Sequence, residues 1–319
     1  MGFGEDGGRL CPVPAEGFAK FMERALYGPE QGFYQSGHAG RRGGHFITSP
    51  EVGPLFGAVV GRMLDRRWDE LGRPAPFTVI DAGAGPGTLA RTVAKAQPRC
   101  SPALRWINVE RSSAGRAMHT TGESAAHLPE GPLTGVILAN ELLDNMPLRL
   151  LDDDGGEVGD RRPDPRTLLT PQQDQACAWL AHALSILDRG TVVVIDYMST
   201  TGEMAARPWP EWLRTYRGHH RGDDPWTAPG TQDITCEVAL DQLVAVRSPT
   251  RVHSQAAWLR DHGIEDLVAE GAAAWRAGAA RGDLAAMTGR SRAIEAEALL
   301  DPAGLGSFTV AEWDTPAPA

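Results

Sequence analysis

The chain has 319 residues, 42% of them hydrophobic and 23% charged, enough apolar material for a sizeable core and too much for wholesale disorder. No apolar run approaches the roughly 20 residues of a membrane-spanning helix, and a net charge of −10 opposes a partner recognised through phosphates. Neither a membrane nor a nucleic-acid partner is expected.

At the N-terminus there is neither a basic, apolar leader nor a myristoylation pattern, since Asp6 stands where Ser or Thr is required. Cytoplasmic location is the default expectation. Cys11, Cys100, Cys177 and Cys236 lie far apart, with no C-x-x-C or Cys/His spacing, so reduced, mostly buried thiols and no metal site are expected. The basic residues are almost all arginine, Lys20 and Lys95 excepted, a skew that reads as codon usage.

In chain order, Gly-rich residues 1–10 are expected to be frayed. Phe18, Phe21, Met22, Ala25 and Leu26 fall at helical spacing before a Gly28-Pro29 stop. A glycine-punctuated loop covers 32–44. Ser49 then reads as an N-cap, with Pro50 as the first residue of a second helix running to about Leu71. Residues 1–75 thus form a helical N-terminal cap.

After the turn-rich Gly72–Pro76, short apolar strands are expected at Phe77–Ala82, Leu104–Glu110, Thr134–Ala139 and Thr191–Asp196, with helices near Leu89–Ala96 and Pro171–Leu187. This alternation predicts an α/β fold with a largely parallel, Rossmann-like sheet. The core runs over 76–198. The acidic stretch from Asp152 to Arg166 reads as a solvated loop. Residues 199–233, rich in Pro, Trp, Arg and His, suit a lid or substrate segment. The C-terminal part, 234–319, returns to the core, with helices at Gln255–His262 and Ile264–Ala280 and a last strand at Ser307–Trp313, before a frayed tail. The extra length is a cap and a lid around one core.

The most informative string is Val79-Ile-Asp81-Ala-Gly83-Ala-Gly85-Pro-Gly87-Thr88. Its glycines let the chain turn sharply after a strand and approach a cofactor without a Cβ in the way. A dinucleotide fingerprint has glycine at the last position, where this chain has Thr88, and a pyrophosphate is repelled by Asp81. Both departures favour S-adenosylmethionine, whose ammonium group Asp81 can attract. Glu110, at the carboxyl end of the second strand, is placed to accept the ribose hydroxyls.

Around these lie further motifs, in order: Tyr27-Gly-Pro-Glu-Gln-Gly-Phe-Tyr34, Gly44-His-Phe-Ile-Thr-Ser-Pro-Glu51, Val109-Glu-Arg-Ser112, Ala139-Asn-Glu-Leu-Leu-Asp144, Ile195-Asp-Tyr197 and Pro229-Gly-Thr-Gln-Asp-Ile-Thr235. The series resembles the MidA-type family of class I methyltransferases, which includes a mitochondrial complex I assembly factor that methylates a protein arginine. The resemblance covers about residues 15–265. It implies a seven-stranded class I methyltransferase sheet with a helical segment folded over the cofactor. It also places Thr48, Ser49 and Glu51 near cofactor or acceptor, and Asn140, Glu141 and Asp144 just beyond the fourth strand. The chain departs from the family at His45, at Met198, at Asn145-Met146-Pro147 in place of Ala-Leu-Pro, and at Glu237 in place of a histidine.

Methyl transfer from a sulfonium is an in-line displacement, so such a site mainly holds the acceptor and excludes water. A guanidinium acceptor needs carboxylates to orient it. Glu141, Asp144 and Glu51 are the candidates. Glu141 and Asp144 can equally cap the next helix, and Asp196 can orient the acceptor or end its strand. Trp209, Trp212, Tyr216 and Trp226 read as a mini-core beneath the lid in preference to an aromatic wall for a cation. His219-His220 with Asp223-Asp224 read as solvated residues. The expected function is S-adenosylmethionine-dependent methylation of a protein side chain, arginine by resemblance. A small-molecule N- or O-methyltransferase, or an assembly factor that binds the cofactor without turnover, are the alternatives. A nicotinamide-dependent oxidoreductase is disfavoured by Asp81 and Thr88.

Overall fold

The computed structural model of the chain describes residues 16–29, 31–36, 48–217, 220–222, 224–279 and 284–316. The expectations for residues 1–10, most of the 32–44 loop, His45, His219, Asp223, Ala280 and the 317–319 tail lie outside the described residues.

Valine and isoleucine runs bounded by glycine and proline build the central sheet. Its strands are β1 (Phe77–Ala82), β2 (Leu104–Val109), β3 (Glu123–Ala125), β4 (Leu133–Asn140), β5 (Leu187–Asp196), β6 (Arg251–Ser254) and β7 (Thr309–Thr315). They form one seven-stranded sheet in the order β6-β7-β5-β4-β1-β2-β3. β1 pairs in parallel with β2 and β4, β4 with β5 and β2 with β3, whereas β7 runs antiparallel between β5 and β6. Strands buried on both faces read as continuous apolar runs, and every residue of β1 is buried. The short strands β3 and β6 carry too few apolar residues to be expected from periodicity.

The helices in use are α1 (Phe18–Tyr27), α2 (Ser49–Val52), α3 (Pro54–Glu70), α4 (Thr88–Ala96), α5 (Asp174–Ile186), α6 (Gln255–Asp261), α7 (Ile264–Gly278) and α8 (Leu284–Leu300). One sheet face packs Val79, Val136, Leu138 and Val193 against Phe56, Val60, Met63 and Leu64 of α3 and Val93 of α4. The other packs Ile80, Ile137, Val192 and Val194 against Ala176, Leu180 and Ala183 of α5. A division at residue 75 therefore runs through the core, because α3 is one of its layers.

Where one helix was expected from Ser49 to Leu71 there are two. Thr48, not Ser49, is the N-cap of α2, in a capping box with Glu51. At Gly53 the chain is extended, and a Cβ there would lie 2.3 Å from the Glu295 carboxyl carbon. That carboxylate accepts the Leu55 N–H at 2.8 Å and caps α3 from the far end of the chain. α8 itself was not expected. Its apolar residues follow no single stripe, and Met287 and Ile294 are exposed while Glu295 is buried.

A third cluster joins the two ends of the expected lid. Phe18, Phe21, Met22 and Leu26 of α1 pack with Trp209, Trp212, Leu213 and Ile234, and Trp226 lies 5.0 Å from the Phe18 ring. The lid carries an antiparallel sheet pairing Leu213–Arg217 with Asp233–Cys236. Among the described residues, no helix is long and apolar enough to cross a membrane, and no group of three or more His, Cys, Asp or Glu side chains is placed to hold a metal ion.

Candidate active site

A cavity of about 1400 Å³ opens at the carboxyl ends of β1, β2, β4 and β5, roofed by α1-side and lid residues. Cavities there are expected of open parallel sheets, and a single small ligand occupies roughly 300–1,000 Å³. This one has room for two. Of the expected site residues, Asp81, Gly83, Gly85, Thr88, Glu110, Thr48, Glu51, Asn140, Glu141 and Asp144 all line it. Gly87 and Ser49 do not. Gly87 is the left-handed turn residue before α4. Ser49 is fully buried, its hydroxyl donating to Gln255 Oε1 at 3.0 Å and its N–H to Glu141 Oε1 at 3.3 Å.

The turn after β1 has Gly83, Gly85 and Gly87 at positive φ, 76°, 51° and 73°, a conformation L side chains rarely adopt. Its amides are engaged within the protein. Gly83 and Ala84 donate to the Val109 carbonyl, Gly87 to that of Ala84, and Gly85 to Glu110 Oε2 at 2.9 Å. The other Glu110 oxygen accepts the Ser112 N–H at 2.7 Å. With these amides taken, the loop is no cradle for a phosphate. Beside it, Asp81 is 4% exposed and its Oδ2 has no hydrogen-bond partner. Burial, reinforced by the charge of Glu110, pushes its carboxyl up to about 7. An unpartnered buried carboxylate oxygen is costly unless a cation meets it. The residues present therefore fit an amino-acid ammonium group at Asp81 and a cofactor lying over the glycine turn.

Sequence reasoning missed His119. Its Nε2 lies 2.9 Å from the Gly85 carbonyl, which can only accept, so Nε2 carries the proton and Nδ1 faces Ser124 Oγ at 2.8 Å. Thr88 turns its hydroxyl to Arg91, accepting from Nη2 at 3.0 Å.

At the other end, Glu141 has φ 51°, a strained value for a non-glycine residue. Its Oε1 accepts from Asn140 Nδ2 at 2.9 Å as well as from Ser49, and burial lifts its carboxyl to about 7. Asp144 caps no α-helix, for Leu143–Asn145 is a single 3-10 turn. Asp196 supplies the cap instead: its Oδ2 accepts the N–H groups of Leu143 and Asp144 at 3.1 and 3.3 Å, and its Oδ1 that of Tyr197 at 3.0 Å. Asp196 is thus a buried brace, absent from the cavity wall. Asp144 is left free for the cavity, with Oδ2 accepting from the Tyr197 hydroxyl at 2.9 Å and Oδ1 without a partner. Burial, then the charges of Asp196 and Asp233, hold its carboxyl well above the usual range.

Asp233, Tyr27, Tyr34 and Tyr197 also line this end; they sit inside motifs quoted above, but no spacing marked them as partners. Trp209 and Trp212 are buried in the lid cluster, and of the lid aromatics weighed as a wall only Tyr216 reaches the cavity. Glu237, where the family has histidine, is paired with Arg207 at 2.6 Å and Arg214 at 2.9 Å. His220 is exposed and Asp224 pairs with Arg162 at 2.7 Å.

The sheet order, the glycine turn and the unpartnered Asp81 define a class I S-adenosylmethionine-dependent methyltransferase architecture. Residues 59–163 and 160–256, together more than half the chain, match the family model of S-adenosyl-L-methionine-dependent methyltransferases, and the chain belongs to that family. It is 25% identical over 292 residues to the mitochondrial protein arginine methyltransferase NDUFAF7 homolog of Drosophila melanogaster, covering 71% of this chain and 64% of that protein. The chain thus spans less than two thirds of that relative's length. Similarity to NDUFAF7 of Bos taurus is 25% over 313 residues, 77% of this chain and 70% of the relative. A Burkholderia thailandensis protein solved with S-adenosyl-homocysteine superposes with a TM-score of 0.75 at 27% identity, over 94% of this chain and 88% of the other.

Proposed function

We propose that the protein transfers a methyl group from S-adenosylmethionine to a protein side chain, with arginine as the acceptor. The observation that carries the reading is one cavity with a buried carboxylate at each end that has one oxygen without a partner, Asp81 Oδ2 beside the glycine turn and Asp144 Oδ1 beyond β4. When bound, the cofactor supplies a methyl group on a positively charged sulfur. Asp81 holds the ammonium group, Glu110 offers its remaining lone pairs to the ribose hydroxyls, and Gly83 and Gly85 keep the wall free of side chains. Across the cavity, carboxylates line the wall where a cationic acceptor would lie, and a guanidinium is charged at any working pH. Two relatives bear names that specify arginine, which supports that acceptor here.

Incubation of the protein with isotope-labelled methyl donor and a cell lysate tests this. Label is expected in protein, on arginine after hydrolysis; label confined to small molecules overturns the acceptor class.

A further inference from the structure

The acceptor end carries a feature that the transfer reaction alone does not require. Asp144, from the turn after β4, and Asp233, at the start of the lid-sheet strand Asp233–Cys236, both line the cavity, and the side chain of Asn145 links the two segments. Asn145 Nδ2 donates to Asp233 Oδ1 at 3.1 Å and to the Ile234 carbonyl at 3.0 Å. The Tyr34 hydroxyl lies 2.9 Å from Asn145 Oδ1 and 3.0 Å from Asp233 Oδ1, so its proton is shared between them. Asn145 is 9% exposed. One buried amide thus joins the core turn, the lid strand and the segment after α1.

The charges are the second part of the argument. Among the described residues, neither Asp144 nor Asp233 forms an ion pair with Lys, Arg or His, and Asp144 Oδ1 is buried without any partner. Two neighbouring carboxylates repel, and burial makes the repulsion stronger. Neutral hydrogen bonds from Tyr197 to Asp144 and from Tyr34 and Asn145 to Asp233 offset part of that cost; a cation between the two carboxylates would offset the rest. A planar guanidinium can donate to two carboxylates on different sides at once, which a lysine ammonium does with less directional fit. Tyr27 and Tyr34, stacked with centroids 5.4 Å apart, add aromatic wall.

We propose that Asp144 and Asp233 form a two-carboxylate clamp for a guanidinium side chain, with Asn145 as the positioning residue that holds the lid carboxylate at the right separation from the core one. This rests on the arginine reading above and extends it. The lid is held in part by the same amide, so occupation of the clamp and the closure of the lid sheet over the cavity are linked.

The test is calorimetric titration of the full chain with the tripeptides Gly-Arg-Gly, Gly-citrulline-Gly and Gly-Lys-Gly, each with and without saturating S-adenosyl-homocysteine. The wild type is expected to bind the arginine peptide at least about tenfold tighter than the uncharged citrulline peptide. Asp233→Asn and Asp144→Asn are expected to bring that preference within about twofold. Asn145→Ala should weaken Gly-Arg-Gly by about three- to tenfold, the change expected for a lost buried hydrogen bond, and leave affinity for S-adenosyl-homocysteine within twofold. Should Asp233→Asn not fold, Tyr34→Phe removes only the shared hydroxyl and is expected to halve the preference or more. Equal binding of arginine and citrulline peptides by the wild type, or an unchanged preference in the folded variants, overturns the clamp. Equal or tighter binding of Gly-Lys-Gly overturns its guanidinium selectivity. A wild type that ignores S-adenosyl-homocysteine refutes the methyltransferase reading, while the titrations without it still decide the clamp.

Discussion

The two ends of the cavity are built by different means. At the cofactor end, Asp81, the three glycines and Thr88 all fall within the segment 81–88, and Glu110 reaches back only 25 residues to the Gly85 amide. At the acceptor end the partners come from across the chain: Tyr34 meets Asn145 over 111 positions and Asp233 over 199, while Asn145 meets Asp233 over 88. One end rests on rigid strand termini and a local turn. The other exists only when α1, the turn after β4 and the lid are packed together. A cofactor site made locally should survive damage that removes the acceptor site, and the reverse damage should also be separable.

The largest expected effect breaks the cofactor end. Asp81→Asn leaves the shape intact and should weaken S-adenosyl-homocysteine by about 10- to 100-fold, the worth of one charge-assisted contact; calorimetric affinity within threefold of wild type would remove Asp81 from the site. Next comes damage to the acceptor end alone. Trp226→Ala empties a ring that packs on Phe18 and Trp209 and should cost about 2–3 kcal/mol of lid stability. Faster hydrogen exchange over 213–217 and 233–236 is expected, with affinity for S-adenosyl-homocysteine within twofold; a cofactor site lost with the lid would erase the distinction.

A pH series then sharpens the cofactor end. With its carboxyl raised to about 7, Asp81 keeps its proton below that pH and must release it to hold an ammonium group. Affinity for S-adenosyl-homocysteine should therefore rise by about five- to sixfold between pH 6 and 7 and by about twofold more above that before levelling off, and be flat in Asp81→Asn. The same raised carboxyls act on stability in the opposite sense. Between the unfolded value near 4 and the folded value near 7 the native state retains protons that the unfolded chain has released, so the cofactor-free protein should melt at lower temperature as pH rises through that window. The smallest effect concerns the seam between the ends. Ser112 Oγ donates to the Tyr34 carbonyl at 2.8 Å and accepts from Gly115; Ser112→Ala should cost about 1 kcal/mol in a thermal melt. A larger loss would mean that the two ends are not separable.

The same contrast governs what could be read from the residues alone. Buried parallel strands announce themselves as valine and isoleucine runs, and a glycine turn followed by an acidic strand end is a local signature, so the sheet and the cofactor wall were legible. Ser49 was misplaced because Ser-Pro resembles a helix start; Thr48 caps instead, since Glu51 closes the box on it. Gly53 looked compatible with one long helix, because the Glu295 side chain that forbids a Cβ there comes from 242 positions later in the chain. Asp144 and Asp196 carry identical side chains, and only the fold shows that Asp196 braces backbone amides while Asp144, also buried, lines the cavity. Asn145 marked a departure from the family pattern and Asp233 lay inside a quoted motif, yet neither implied the other.

The shared cluster of α1 and the lid also has a consequence in time. Phe18, Phe21, Met22 and Leu26 are synthesised early, but the surface that covers them extends to Ile234, Cys236 and Ala239. At roughly 5–20 residues per second, that apolar face waits about 10–40 s before the last of its partners exist. During that interval the apolar face of α1 lacks part of its cover, and the acceptor end is completed only after the residues of the cofactor end have been made.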